Sequence, residues 1–259
     1  MLSKNQISQV VALHQKKFRK AENMFIAEGE KVVTDLLQSS FDVKKIFATS
    51  SFIERYHKRF QKKSVSEWVE VTESELNKIS SLNTPNQVVA LAAIPSYQFD
   101  KSSIQNKLNL VLDDISDPGN LGTIIRIADW FGIENIICST DTADCYNPKV
   151  VQASMGSLFR IKIHYMNLEN FLAENKSSNI YGTTLDGENI YSAKLSHEGF
   201  IVVGSESTGI STEIKNYLTH KVYIPDFNLK AGKNQPDSLN AAVATAIVCA
   251  EFRRRQQAK

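Results

Sequence analysis

Asp117-Pro-Gly-Asn-Leu-Gly-Thr-Ile-Ile-Arg126 follows closely on an apolar run, Leu108-Asn-Leu-Val-Leu112, that ends in Asp113-Asp114. A short apolar run bounded by turn residues reads as a buried strand, and the small and polar residues after it open a helix. Open α/β sheets build their ligand sites where a strand ends and the next helix begins. Pro118-Gly119-Asn120 bends the chain, and Asn120 is expected to cap a helix running from about Leu121 to Phe131. Free amides and the dipole of that first turn favour an anionic or polar ligand group. Arg126 falls among Ile124, Ile125, Ile127 and Ala128, so its guanidinium must reach water, a carboxylate or a phosphate. A polar stripe, Thr123-Arg126-Asp129, with an i,i+3 ion pair would serve equally well. The spacing is not G-x-G-x-x-G, which argues against a dinucleotide site.

Two later blocks have the same character. Gly204-Ser-Glu-Ser-Thr-Gly209 ends a second apolar run, Phe200-Ile-Val-Val203. Gly204 lets backbone approach a ligand closely, and Gly209 permits a turn that other residues resist. Glu206 then emerges at the carboxyl end of the sheet, and Ser211 or Thr212 caps a helix over 213–218. In the third block, Pro225 stops the strand ending at Ile224, and Ser238-Leu239-Asn240 opens a final helix reaching about Arg254. That helix is rich in small apolar residues, which suits close packing in the core or against a second subunit.

Working outward, residues 108–252 alternate strands and helices. Further strands are expected at Asn135–Cys138, 158–163, 180–184 and 221–224. Near-continuous apolar strands indicate a mainly parallel sheet covered on both faces. The first hundred residues form a second α/β unit. A helix is expected over 3–20, then strand 25–29, helix 30–38, strand 43–48, helix 51–60, strand 68–71, helix 73–80 and strand 88–94, the last after the turn at 83–86. The polar stretch 95–107 is the linker, so the chain divides into residues 1–100 and 106–259.

With 259 residues and 42% hydrophobic content the chain can bury real cores. Its net charge of +2 is too small to diagnose a nucleic-acid binder, but residues 1–100 hold 14 Lys/Arg against 11 Asp/Glu. Within them, His14-Gln-Lys-Lys-Phe-Arg-Lys20 surrounds an aromatic ring with cations. Such a run can neutralise phosphates and stack a base, or can be the solvated face of an amphipathic helix. Cys138, Cys145 and Cys249 lack metal-ligand spacing and suit a reducing, cytoplasmic setting. No signal peptide is visible, and the apolar run 241–250 is too short to span a bilayer.

Taken together, Asn120…Gly122…Arg126, Gly204-x-Glu206-x-x-Gly209 and Ile224-Pro225…Ser238-Leu239-Asn240 resemble the three motifs of the SpoU/TrmH family of RNA ribose 2′-O-methyltransferases. The N-terminal unit, through 25–29 and 85–94, resembles the small substrate-binding domain fused to such enzymes, with a ribosomal-protein-like (L30e/L7Ae-like) α/β fold. The resemblance implies an α/β fold tied in a trefoil knot (the SPOUT architecture), which periodicity cannot reveal. It further implies S-adenosyl-L-methionine bound by the knotted loops and a homodimer formed through the C-terminal domain, both subunits contributing to each site. The cofactor would lie on the backbone at Gly204, Ile224 and Leu239, with Thr183 or Thr184 nearby. Asn120, Arg126, Glu206, Ser238 and Asn240 would line the reaction centre. In this scheme Arg126 holds phosphate and developing oxyanion charge, Glu206 and Asn120 orient it, and Ser238 or a water takes the proton. RNA, ribosomal rather than transfer RNA, is the implied partner, and no membrane is involved.

Two departures stand out. Ser205 and Ser207 occupy positions where the family often has Asn and Gly. Residues 227–236 lengthen the third motif and add Lys230, Lys233 and Gln235, as an RNA-contacting flap or a solvated loop. Rival readings are a noncatalytic RNA-binding homologue, a knotted enzyme that methylates transfer RNA or a base nitrogen, and an unrelated nucleotide-binding enzyme.

Overall fold

Leu108–Asp113 (β5) is buried at every position, as a strand covered on both faces must be. The computed structural model of the protein describes residues 1–259 except 62, 64, 83, 85, 97, 228–237, 258 and 259, so the 227–236 insertion lies almost wholly outside the described residues. The chain forms two units, Met1–Gln98 with Asp144–Arg160, and Phe99–Ala143 with Ile161–Lys259.

The first unit contains α1 (Lys4–Ala12), α2 (Lys16–Glu22), β1 (Met24–Glu28), α3 (Glu30–Gln38), β2 (Val43–Ala48), α4 (Ser50–Tyr56), β3 (Val65–Glu70), α5 (Glu73–Ile79) and β4 (Val88–Ala93). Its sheet runs β1-β4-β2-β3, with β2 and β3 parallel and the other pairs antiparallel. The single helix expected over 3–20 is two helices. Arg19 is buried, and its Nη1 donates to Leu13 O and His14 O at 3.0 and 2.9 Å. The guanidinium takes carbonyls at the break that a continuous helix would reserve for its own amides. The strand expected at 68–71 begins earlier, at Val65, and the helix expected over 51–60 stops at Tyr56.

In the second unit β5 is followed by α6 (Pro118–Trp130) and β6 (Asn135–Cys138). The next segment, Asp144–Arg160, groups with the first unit; it carries α7 (Pro148–Ala153) and a 3-10 turn at Ser157–Phe159. Tyr146 and Phe159 close an aromatic cluster there with Phe25 and Phe41. The strand expected over 158–163 therefore starts late, as β7 (Lys162–Tyr165), because Leu158 and Phe159 are packed in that turn. The second unit continues with α8 (Leu168–Glu174), β8 (Ile180–Asn189), β9 (Gly199–Gly204), α9 (Thr212–Lys215), β10 (His220–Tyr223) and α10 (Ala241–Gln257).

These six strands form one sheet, β10-β8-β9-β5-β6-β7, parallel throughout. Val111, Ile137, Ile180 and Val202 meet in its core, each worth roughly 1.5–3 kcal/mol on burial. From β5 the chain runs outward one way through β6 and β7, then resumes on the other side with β8 and β9. The β5–β9 junction is thus the point where strand order reverses, and ligand crevices open at the carboxyl ends of such strands. Asp113 pairs with Gly204 there, so the first two motifs leave the sheet side by side.

The last helix is clamped at its far end. Glu251 is buried and accepts from Arg254 at 2.8 Å and from Arg255 at 2.7 Å, while Arg255 also donates to Ala193 O, Ile190 O and Tyr191 O. Those arginines, Arg254 foremost, hold the Glu251 carboxyl down to about 2. Its stabilising contribution is therefore present above the ordinary glutamate value of 4.5 and is lost as pH falls toward about 2. Glu251→Ala should cost about 2 kcal/mol at neutral pH and flatten the acid limb of a stability-versus-pH curve measured by denaturant melts. An acid limb identical to that of the unaltered protein would dismiss the clamp.

Candidate active site

Helix α6 begins three residues earlier than expected. Asp117 is its N-cap, accepting from Asn120 N at 2.8 Å, and Pro118 occupies a first-turn position where no amide is needed. Asn120 is therefore not the cap. It sits at the third helical position with its side chain free to reach across the carboxyl end of the sheet.

It reaches Glu206. Asn120 Nδ2 donates to Glu206 Oε1 at 3.0 Å, and Asn240 Nδ2 donates to Asn120 Oδ1 at 2.8 Å and also to Glu206 Oε1. Ala241 N completes the set, 3.0 Å from the same carboxylate oxygen. One residue from each motif thus meets the other two. Asn240 also caps α10, its Oδ1 accepting from Ala242 N and Val243 N at 3.1 and 3.2 Å, so that helix starts at Ala241 and not at Ser238. The Glu206 carboxylate lies against the positive end of the helix dipole, a further stabilisation of about 0.3–1 kcal/mol.

The turn carrying Glu206 is built by the glycines flanking it. Gly209 N donates to Ser205 O at 2.9 Å, and Gly209 takes φ +66°, the left-handed region that favours glycine. A Cβ on Gly204 would lie 2.1 Å from Gly209 C and 2.2 Å from Ile210 N. The space beside Gly204 is thus taken by the protein's own returning turn, a reason for glycine that holds whether or not a ligand also meets its backbone. Ser207 is not at positive φ, so serine fits there without strain. Buried Asp113 anchors the end of the turn by accepting from Ser211 N at 2.7 Å. Ser211 is the N-cap of α9, but its hydroxyl makes no capping bond.

Arg126 lies six residues beyond Asn120, about 9 Å further along α6. It is exposed, and among the described residues no hydrogen bond or ion pair holds it. Glu206 and Asn120 bond α10, not Arg126. Trp130, one turn further on the same face, is 84% exposed, and Val243 on the adjacent α10 is 50% exposed. Sequence reading missed Trp130 and Asp117. The Asp-Pro pair was the available signal for Asp117, and the four-residue step from Arg126 was the signal for Trp130.

Ser238 and Leu239 are exposed immediately before Asn240, and Ile224 follows the end of β10. Within β8, Thr183 Oγ1 donates to Val202 O at 3.1 Å, so that hydroxyl is used within the sheet. Thr184 Oγ1 is buried beside the Asp186 carboxylate. It lies in an excursion over 183–187, where Lys221 pairs with Gly182 but Val222 pairs with Glu188. Asp186 there bonds Lys221 at 2.7 Å, and that lysine, with the Thr184 hydroxyl a smaller influence, keeps its carboxyl below the usual range. A hydroxyl that gives its proton to Asp186 keeps lone pairs that can accept from a polar ligand group at the carboxyl end of a parallel sheet. Among the described residues no cluster of His, Cys, Asp and Glu is arranged to hold a metal, and no helix is long and apolar enough to cross a membrane. Cys249 is a core thiol pushed up to about 12 by burial.

Comparison with known proteins agrees with this geometry. Residues 107–250 match the SpoU rRNA Methylase family, and residues 4–90 match an MRM3-like substrate binding domain. The 23S rRNA (guanosine(2553)-2′-O)-methyltransferase RlmP of Bacillus subtilis is 30% identical over 93% of both chains. A solved structure assigned to the TrmH family of RNA methyltransferases, from Porphyromonas gingivalis, is 37% identical with TM-score 0.87, over 98% of this chain and 99% of that one. An AdoMet-bound rRNA methyltransferase from Sinorhizobium meliloti is 30% identical with TM-score 0.84, over 98% and 96%. The matched span, carrying all three motifs and the sheet that joins them, makes this chain a member of the SpoU rRNA methylase family.

Proposed function

We propose that the protein transfers a methyl group from S-adenosyl-L-methionine to a ribose 2′-hydroxyl of ribosomal RNA. The observation that carries the reading is the Asn120–Glu206–Asn240 cluster, which joins the three motifs at the strand-order switch on the helix whose Arg126 guanidinium has no partner among the described residues. Similarity to ribosomal RNA methyltransferases over both units favours ribosomal RNA.

S-adenosyl-L-methionine supplies, when bound, an electrophilic methyl group on sulfur. The backbone at Gly204, Ile224 and Leu239 would hold it, with Thr184 offering its hydroxyl oxygen as an acceptor and Thr183 supporting the wall from within the sheet. Arg126 holds the target phosphate and stabilises negative charge developing on the ribose oxygen, while Ser238 or a water accepts the proton. A guanidinium is too weak an acid to serve as the base at neutral pH. Glu206 positions the site by fixing Asn120 and the start of α10. Holding two reactants in line should supply much of the rate, which explains a cluster devoted to rigidity.

The trefoil knot belongs to this reading, as does a homodimer. The exposed face bearing Arg126, Trp130 and Val243 is apolar enough to be covered by a second copy, which would carry Arg126 into a shared site. A cytoplasmic setting belongs to the same reading, in line with the bacterial relative. The test is incubation with ribosomal RNA and methyl-labelled S-adenosylmethionine, followed by digestion to nucleosides. Label in a 2′-O-methylnucleoside is expected. Label in a methylated base, or in transfer RNA alone, would replace this reading with one of its rivals.

A further inference from the structure

We infer that α2 is a phosphate-binding rail for the RNA substrate, held in place by the buried Arg19. This rests on the RNA methyltransferase reading and assigns part of its substrate surface. The basic run 14–20 contains four cations, and the structure sorts them into two kinds. Arg19 points inward. It is 2% exposed, its Nε and Nη2 donate to Asp144 Oδ2 at 3.2 and 2.6 Å, and its Nη1 takes the two carbonyls at the end of α1. A planar guanidinium with its donors fixed in three directions locks the helix against rolling.

Lys16, Lys17 and Lys20 remain exposed on the same short helix. Lys16 and Lys20 are one turn apart, with Lys17 beside them. Among the described residues none of the three has a carboxylate partner. Elsewhere in the same unit Lys31, Lys44, Lys45, Arg55 and Arg160 are each paired with an acid. Lys4, Lys58, Arg59 and Lys78 also lack an ion pair among the described residues, so what sets α2 apart is three such lysines within one turn on an anchored helix. Three uncompensated ammonium groups on a rigid support repel one another unless an anion joins them. Lysine is a point charge that suits phosphate oxygens, and contacts to phosphate carry no base identity, so the surface fits a polyanion bound without regard to sequence. Base stacking on Phe18 is less suited, because its half-buried ring already carries the Lys17 ammonium 4.7 Å from its centre.

The test is the triple variant Lys16→Gln, Lys17→Gln, Lys20→Gln, since glutamine keeps helix propensity while removing charge. Methyl transfer to deproteinised ribosomal RNA is measured over a range of salt, with Lys31→Gln as the control. KM for RNA should rise at least about tenfold near physiological salt, and the slope of log affinity against log salt should fall by about 2–3. The kcat at saturating RNA, the affinity for S-adenosylmethionine and the melting temperature should stay unchanged, as should every parameter of the control. An unaltered KM and salt slope overturn the rail and leave the methyltransferase reading standing. A loss confined to assembled ribosomal particles, with naked RNA unaffected, also overturns it, in favour of an acidic protein partner. No methylation or binding of RNA by the unaltered protein sinks both.

Discussion

Arg126→Ala should lower kcat for RNA methylation by about 10²–10³ or more while leaving S-adenosylmethionine affinity within about twofold of the unaltered protein. The expectation follows from position. Arg126 is held by no partner among the described residues, so its removal breaks nothing in the fold and exposes no buried acid. Surface substitutions of that kind usually change stability by under about 0.5 kcal/mol. A large loss of rate with an unchanged melting temperature would therefore locate the guanidinium at the reaction. Arg126→Lys should recover little, because an ammonium cannot reproduce the planar fork that contacts two oxygens together. The pH dependence separates two roles. If Arg126 stabilises charge without giving up a proton, the limbs of the rate profile between about pH 6 and 9 belong to another group and keep their midpoints in the lysine variant. Near-normal turnover by the alanine variant would remove Arg126 from the mechanism, and weakened cofactor binding would make it a ligand-holding residue instead.

How much of this was legible in the sequence depended on whether the deciding interaction was local. Helix α3, strand β2 and strand β6 begin and end where their apolar spacing places them, because nothing outside those segments competes for their backbone. The helix over 3–20 was misread because its break is set by Arg19, whose anchor Asp144 lies 125 residues away. The start of α6 was misread for the opposite reason, a local signal left unused. Asp before Pro-Gly is a cap followed by a first-turn proline, and giving the cap to Asn120 hid that its side chain was free for another task. The convergence of Asn120, Glu206 and Asn240 could be expected only through family resemblance. Their separations in sequence are 86, 34 and 120 residues, and the strand order that joins them is a property of the whole sheet. At Gly204 the sequence suggests room for a ligand, and the structure adds a second demand for glycine that no local pattern shows, the chain's own return into that space.

Gly204→Ala should accordingly be the most damaging single methyl group that can be added to the second motif. The contact atoms are Gly209 C and Ile210 N, both backbone and both in a turn already fixed by the Ser205–Gly209 bridge and by Asp113 on Ser211. No side chain can rotate away, so the turn itself must lift off the end of β9. Overpacking without an escape route costs more than about 3 kcal/mol, which for a chain of this size is on the order of 10 °C in melting temperature. The displaced turn carries Glu206, so Asn120 and the start of α10 lose their common acceptor, and cofactor binding should fail along with stability. Gly209→Ala makes the informative contrast. Its φ of +66° disfavours alanine by about 1–2 kcal/mol, but nothing lies within 4 Å of the added carbon. Thermal melts and S-adenosylmethionine titrations on both variants should therefore rank Gly204→Ala well below Gly209→Ala on each measure. The reverse order would mean that positive φ, and not the return of the chain onto β9, is what the second motif preserves.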